Sequence, residues 1–494
     1  MLANLSPSSA LSISLLLICL FLVLAFEATN GFHDAANAVA TVIYTNSLKS
    51  VPAVVWSGIM NFIGVIVGGI SVAYALVELL PPDVLSPPDG SPAVPMLVSL
   101  FISACFWNLA TWYFGIPNSS SHCIIGALVG VAIGNALLLG RGLGSGVDWG
   151  QVWKVLEALA LSPVLGFVLA GGLYFLARHL IRERHLYEPP PEGQPPVWWI
   201  RGLLILTCTG VSFAHGTNDG QKSIGLIMLA IIGLFPATYA LNSTASQKIV
   251  HLDQDARAAI PLIQKFGDDE KEVAIQAAKH IEGYLGGKTS PQGAPAGDRR
   301  AVLGGIQRVA DRADAAADQK SVPVPEHQRS SVRGDAYRLI AEMKEVERSK
   351  EASPREKDQA TTIHQNLSSA VEYAPWWVRI LSALCLGVGT MFGYRRIVHT
   401  LGERIGRTHL TPAKGASAEL IGAALISTAG FSGMPVSTTH IVTAGIAGTM
   451  AGDRGEKGGG LNKTMVWRIV MAWVVTLPVT IALAAGLFYV LNQG

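Results

Sequence analysis

The chain has 494 residues, 50% of them hydrophobic and only 15% charged, with a formal net charge of +2 and a mean hydropathy of +0.38. That profile excludes an ordinary soluble domain and a disordered chain, and the near-neutral charge gives no reason to expect a nucleic-acid partner.

Runs of about 20 apolar residues, enough to cross ~30 Å of hydrocarbon, recur along the sequence. In chain order they fall at 9–29 with 33–48, 51–80, 93–114, 118–140, 151–180, 198–214 with 222–243, 374–394, 415–431, 436–452 and 465–491. Counting each stretch interrupted by a polar motif once gives ten crossings, so the expected fold is an all-α polytopic membrane protein. The first run lacks the basic flank of a signal peptide and continues past Val39, which favours a retained crossing. The five cysteines (Cys19, Cys105, Cys123, Cys208 and Cys385) lie scattered in apolar segments without C-x-x-C spacing, so they read as buried small hydrophobes.

Residues 245–372 break the pattern and carry more than half of the Lys, Arg, Asp and Glu. "DDEKEVAIQAAKHIEGYL" and "DAYRLIAEMKEVERSKEA" show apolar residues at helical spacing among charges, which predicts surface helices. "GGKTSPQGAPAGDRR" and "SVPVPEHQRSS" read as mobile linker. The segment is therefore expected to be a soluble, partly helical insertion without catalytic chemistry.

An internal repeat carries more information. "NGFHDAANAVA" aligns without gaps to "HGTNDGQKSIG", matching Asp34 to Asp219 and Gly31 to Gly216. "FGIPNSSSHCIIGALVG" aligns to "FSGMPVSTTHIVTAGIAG", matching Pro117 to Pro435 and His122 to His440. Two motifs in the same order imply two homologous halves of five crossings each, and an odd number makes them an inverted repeat. The expected divisions are 1–180 (first repeat), 181–197 (basic linker), 198–244 (start of the second repeat), 245–372 (insertion) and 373–494 (the remainder). The basic loops "RHLIRERHLY" and "RRIVHTLGERIGRTH" fall on one side in this count, so the positive-inside rule makes them cytoplasmic and places the termini and the insertion outside.

Charge inside a span points to function, because it costs roughly 2.5–3.5 kcal/mol at a helix centre even on a lenient scale. Asp34, Asp219 and Lys222 lie in such stretches, with Glu27, Asn30, His33, Asn37, His215, Asn218 and Gln221 nearby. The bland alternative for one Asp is a structural ion pair with Lys222; two Asp at matched repeat positions argue against it. In each motif a Gly stands three residues before the Asp, which suits a helix interrupted near mid-membrane, a broken or re-entrant helix. Asn37 and Lys222 each lie three residues after an Asp, on the same helical face. A carboxylate with amide and carbonyl oxygens suits Na⁺; with His33 or His215 beside it, the carboxylate can instead accept a proton, a relay in which His122 and His440 are further candidates.

The second pair of motifs suits an anion. Pro117 and Pro435 cannot continue a preceding helix, and the residues after them, Ser119, Ser120 and Ser121 in one copy and Ser437, Thr438 and Thr439 in the other, are N-cap and first-turn types. A helix that starts inside the membrane aims unpaired N–H groups and a positive dipole end at one place, and two such ends suit a tetrahedral oxyanion. Hydroxyls serving only as helix glue are the alternative.

"NGFHDAANAVATVIYT", "SFAHGTNDGQKSIGLIML", "WYFGIPNSSSH" and "GMPVSTTHIV" resemble the repeated signatures of the inorganic phosphate transporter (Pit/PiT) family, and more narrowly its bacterial low-affinity members. The resemblance covers the membrane part; the insertion matches by position alone. It implies a secondary transporter in a plasma membrane, the bacterial inner membrane, that carries phosphate with a coupling cation, H⁺ or Na⁺, with phosphate able to travel as a complex with Mg²⁺ or another divalent metal. It implies no enzyme activity; lipid and a second copy of the chain are its remaining expected partners. Carried over by position, Asp34, Asn37 and Asp219, with Asn30 and Asn218, are cation-coupling residues. Ser119, Ser120, Ser121, Ser437, Thr438 and Thr439, with Gln221 and Lys222, are phosphate-binding residues. Gln221-Lys222 stands where the family pattern has Ala-Asn, which disfavours two symmetric Na⁺ sites and favours H⁺. A sulfate permease of the same superfamily, an intramembrane aspartyl protease and a phosphate receptor are the rival readings.

Overall fold

The computed structural model describes residues 10–77, 79–80, 84, 94–142, 147, 149–191, 193–235, 239–242, 249, 251–267, 271–285, 324, 328–407, 409–451 and 460–493. No β-strand occurs among them. In chain order the helices are α1 (Ala10–Tyr44), α2 (Ser50–Val67), α3 (Ser71–Val77), α4 (Val94–Tyr113), α5 (Ser120–Leu138), α6 (Trp149–Leu180), α7 (Arg184–Tyr187) and α8 (Trp198–Leu234). After these come α9 (Leu252–Phe266), α10 (Lys271–Leu285), α11 (Arg329–Arg348) and α12 (Pro354–Val371). The last group is α13 (Trp376–Thr390), α14 (Arg395–His399) running into a π turn at Thr400–Arg404, α15 (Pro412–Phe431), α16 (Thr438–Ala451) and α17 (Lys463–Gln493). The chain divides into two compact units, one of Ile231–Tyr373 and a larger one that includes Leu5–Val84, Ala93–Ala230 and Ala374–Gly494.

In the larger unit, six helices are long and apolar enough to cross a membrane: Leu17–Tyr44 of α1, then α2, α4, α5, α6 and α17. Trp376–Thr390 and Arg395–Arg404, bent by 54°, make a seventh if they form one span. This is fewer than the ten apolar stretches of the sequence. α16, with 14 residues, is about 21 Å long at 1.5 Å per residue, and α8 and α15 carry Asp219, Lys222, Lys414 and Glu419 in their interiors. Phe106, Trp153, Leu161, Phe175, Trp467 and Val490 are exposed, a liability in water but the expected face toward lipid.

The interruption expected at Gly31 and Gly216 does not occur: α1 runs unbroken through Gly31 and α8 through Gly216. The glycines serve close packing instead. A Cβ on Gly31 would lie 2.6 Å from Thr390 N and 2.7 Å from Gly389 C of α13, and one on Gly216 would lie 3.0 Å from Asn61 Cα of α2. Backbones that approach this closely are how helices associate in lipid, where apolar side chains gain nothing from leaving it.

α5 and α16 begin after the two prolines. Ser119 is the N-cap of α5 and accepts from His122 N at 3.2 Å, and Ser437 accepts from His440 N at the same distance. The matched motifs thus cap their helices with the same residue at the same spacing.

The unit Ile231–Tyr373 holds α9 to α12 around its own core, which includes Leu252, Ile263, Ile281, Leu339, Met343 and Leu367. The helices expected at 268–285 and 335–352 appear as α10 and α11, and α9 and α12 are additional. The expected linker "SVPVPEHQRSS" gives up its end, because α11 starts at Arg329; the rest of the two linker stretches, including the mobility expected of them, lies outside the described residues apart from Val324 and Gln328. Buried Arg333 donates to the carbonyls of Ala240 (3.0 Å) and Val371 (2.5 Å), which ties the two ends of the unit together. Ser353 and Glu356 form a capping box at the start of α12.

Gly31→Ala should cost about 1–3 kcal/mol through forced separation of α1 and α13, read as a lower Tm in detergent and a smaller monodisperse fraction. Lys265, 2.6 Å away, and then Ser353 hold the Glu356 carboxyl down to about 2, below its ordinary 4.5. Its contribution is therefore complete above about pH 4.5 and is lost as the pH falls through about 2. Glu356→Gln should flatten the fall in Tm between pH 6 and 3, measured on the whole purified chain.

Candidate functional site

The polar residues of α1 and α8 meet the starts of α5 and α16 in one buried cluster. On α1, Asp34 Oδ1 accepts from Asn37 Nδ2 at 2.8 Å and from the Thr439 hydroxyl of α16. On α8, Asp219 Oδ1 lies 2.6 Å from Lys222 Nζ, one turn on, and its Oδ2 accepts from Thr438 Oγ1 at 3.4 Å. His215 Nε2 stands between the two carboxylates, 3.4 Å from Asp34 Oδ2 and 3.2 Å from Asp219 Oδ2. Those distances are within ion-pair range, and it is the angles that keep the contacts short of hydrogen bonds.

A neighbour fixes the orientation of that histidine. Asn61 Nδ2 donates to Thr390 Oγ1 at 3.1 Å, so its Oδ1 faces His215 Nδ1 at 2.8 Å. Nδ1 is then the donor, and Nε2 is left toward the aspartates.

Lys222 is 1% exposed. Its ammonium donates to Ser121 Oγ (2.5 Å), Asp219 Oδ1 (2.6 Å) and the Val436 carbonyl (2.8 Å), and Ser121 Oγ donates to that same carbonyl at 2.9 Å. One cation thus touches the first-half "PNSSSH" motif, the second-half "PVSTTH" motif and the second aspartate. All three ammonium protons have an acceptor, the condition for a lysine to be buried without a large penalty.

Asp34, Asn37, Ser121, His215, Asp219, Lys222, Thr438 and Thr439 come together in this way. The remaining candidates fall elsewhere, for reasons of helical geometry. Asn218 and Gln221, one and two residues from Asp219, are turned about 100° and 200° around α8: Asn218 donates to Met434 O at 3.3 Å, and Gln221 donates to Thr217 O at 2.7 Å and accepts from Val72 N. His33, next to Asp34, turns to Asn108 O at 2.9 Å. Asn30 is one turn back along α1, and its Oδ1 has no hydrogen bond among the described residues. Ser119 and Ser437 serve as caps, and Ser120 is buried at the first position of α5. The His122 and His440 rings lie 4.5 Å apart, with His440 stacked on Trp473 at 3.8 Å. Sequence reasoning missed Asn61, which orients His215, and Glu419, which is completely buried. A lone Glu in the apolar run 415–431 was the available signal for the latter.

Asp34, His215 and Asp219 each offer a ligand atom within 4.8 Å of the others. A metal ion there would face the Lys222 ammonium across Asp219, and Asp34 Oδ1 and both oxygens of Asp219 are already engaged. The set suits a resident divalent ion poorly.

An all-helical membrane unit with a buried, charged centre is the architecture of a polytopic membrane carrier. Comparison with protein families matches residues 30–484 to the phosphate transporter family, and the chain belongs to that family. It is 38% identical to the low-affinity inorganic phosphate transporters PitB and PitA of Escherichia coli (strain K12), in each case over 97% of both chains. It is 26% identical to the probable low-affinity inorganic phosphate transporter of Bacillus subtilis (strain 168), over 97% of both chains. Among solved structures it resembles a sodium-dependent phosphate transporter, with a TM-score of 0.51 and 18% identity over 97% of this chain and 99% of that one, a likeness of fold. These relatives are transporters, not enzymes, and the intramembrane protease reading drops out.

Removing one partner of a buried ion pair strands the other. Lys222→Met should therefore lower stability by about 3–5 kcal/mol, and Lys222→Met with Asp219→Asn should recover most of it; thermal melts of the purified variants in detergent read both.

Proposed function

We propose that this chain imports inorganic phosphate across a bacterial inner membrane by cation symport, with H⁺ as the coupling ion and with phosphate able to enter as a divalent metal complex. The observation that carries the reading is the Lys222 ammonium, held between Ser121 of one half, the Val436 carbonyl of the other and Asp219. On this reading an arriving oxyanion takes the ammonium and the Ser121 hydroxyl, and the first-turn N–H groups and hydroxyls of α5 and α16 (Ser120, Thr438 and Thr439) complete its shell.

The coupling proton resides on His215 Nε2, between Asp34 and Asp219. With that proton the two aspartates are balanced by His215 and Lys222, which leaves the ammonium able to meet the anion; without it the cluster carries a net negative charge that discourages anion movement, which is the linkage that symport requires. Hydrogen phosphate, unlike sulfate, can donate a hydrogen bond to an aspartate, and that difference supports phosphate as the cargo. The two halves work as an inverted repeat, with the basic loops cytoplasmic and the termini and the insertion outside.

Uptake of radiolabelled phosphate into proteoliposomes tests this, with H⁺, Na⁺ and Mg²⁺ gradients varied one at a time and sulfate as competitor. Accumulation should follow the pH gradient and resist sulfate. Asp34→Asn and Asp219→Asn should each abolish it, whereas Ser120→Ala and Thr438→Ala should raise the half-saturating phosphate concentration about tenfold, the loss of about 1.4 kcal/mol in a charge-assisted hydrogen bond. Uptake driven by Na⁺ at uniform pH, or blocked by equimolar sulfate, would overturn the coupling ion or the cargo respectively.

A further inference from the structure

Two buried glutamates, Glu27 and Glu419, flank the central cluster. On α1, positions 27, 34 and 41 are spaced by seven residues, two helical turns, so Glu27, Asp34 and Thr41 share one face over about 21 Å. α8 runs the other way beside that face: Ser223 faces Glu27, His215 reaches Asp34, and Thr207 and Thr41 flank Glu419 of α15. The cluster at Asp34 is therefore the middle of three polar stations, with one carboxyl above it and one below.

Both outer stations hold unsatisfied acceptors. Glu27 is 1% exposed, with Ser223 and Asn30 as neighbouring polar side chains, and among the described residues neither of its carboxyl oxygens reaches full hydrogen-bond geometry with them. Glu419 is 0% exposed; its Oε2 accepts from Thr207 Oγ1 at 2.6 Å, while Thr41 lies beside the carboxyl without reaching full hydrogen-bond geometry among the described residues. A carboxyl group buried in this way is stable only when it holds a proton or a cation. Among the described residues, Asp219 and His215 of α8 and Cys385 of α13 face Glu27, and Cys208 of α8 faces Glu419. Acids spaced through a membrane interior in line with a histidine form the kind of chain that relays protons in pumps and carriers.

We propose that Glu27 and Glu419 are the two outer proton-binding sites of a three-station relay, through which the coupling proton reaches and leaves the Asp34–His215–Asp219 cluster. The inference rests on the symport reading above. Each transfer breaks one O–H or N–H bond as it forms another, with no change of oxidation state, and the Ser223, Thr41 and Thr207 hydroxyls can donate and accept along the way. Neither glutamate belongs to the anion site, so phosphate exchange across the membrane at equal pH does not need them, whereas gradient-driven accumulation does.

The test compares two assays in proteoliposomes for the wild type, Glu27→Gln, Glu419→Gln, Glu27→Asp and Glu419→Asp. The expected result for both Gln variants is phosphate self-exchange within about twofold of wild type and pH-driven accumulation lowered about tenfold or more, with the Asp variants, which keep a titratable oxygen, regaining part of it. Gln variants that accumulate phosphate like wild type would overturn the relay. So would Gln variants that lose exchange along with accumulation, which marks a structural role, or a wild type whose Glu-dependent accumulation follows Na⁺ at uniform pH, which marks alkali-cation sites. Failure of the transport reading looks different: the wild-type chain itself then shows neither exchange nor uptake, and the relay falls with it.

Discussion

A lysine ammonium held away from water organises the larger unit. Lys222 has three protons and three acceptors, and those acceptors come from α5, α8 and the segment that leads into α16. Burying that charge without its partners would cost far more than any single helix contact returns. The requirement that all three arrive together fixes where the starts of α5 and α16 sit relative to α8. Asp34 is then brought in from the other side through Thr439 and His215.

Such a centre needs backbones close together, and glycine supplies that closeness. Gly31 lets α1 lie against α13, while Gly64 and Gly216 let α2 and α8 meet, which brings Asn61 within reach of His215. The sequence reading gave Gly31 and Gly216 a different task, a break in the helix. Glycine permits both a break and a close approach, and the sequence holds nothing that separates them; the presence of a neighbouring backbone at van der Waals distance decides.

Much of the site was legible because each half repeats the other's signature. Asp34 and Asp219, the hydroxyl clusters and Lys222 stand out as costly residues in apolar runs, and that cost is visible without a structure. Residues one or two positions away, Asn218, Gln221 and His33, looked equally eligible in the linear sequence, but helical rotation turns them onto other faces. Asn61 is an unremarked amide in an apolar helix until the fold puts it against His215. Glu419 needed the fold for another reason: its role depends on lining up with Thr41 and Thr207, which are 378 and 212 positions away in the chain by their numbers.

The sequence by itself determined the class of the chain. Its apolar runs require helices in a membrane, its prolines and hydroxyls specify where α5 and α16 begin, its insertion carries the charge of a separate helical unit, and its paired motifs mark it as kin to phosphate carriers. These are local properties of composition, capping and periodicity. Tertiary structure decided which side chains meet, because that depends on helix rotation and on which backbones come within a few ångströms of each other. It joined two motifs more than 300 residues apart around one ammonium, kept α1 and α8 unbroken through their glycines, and set an isolated glutamate at each end of the face that α1 and α8 share.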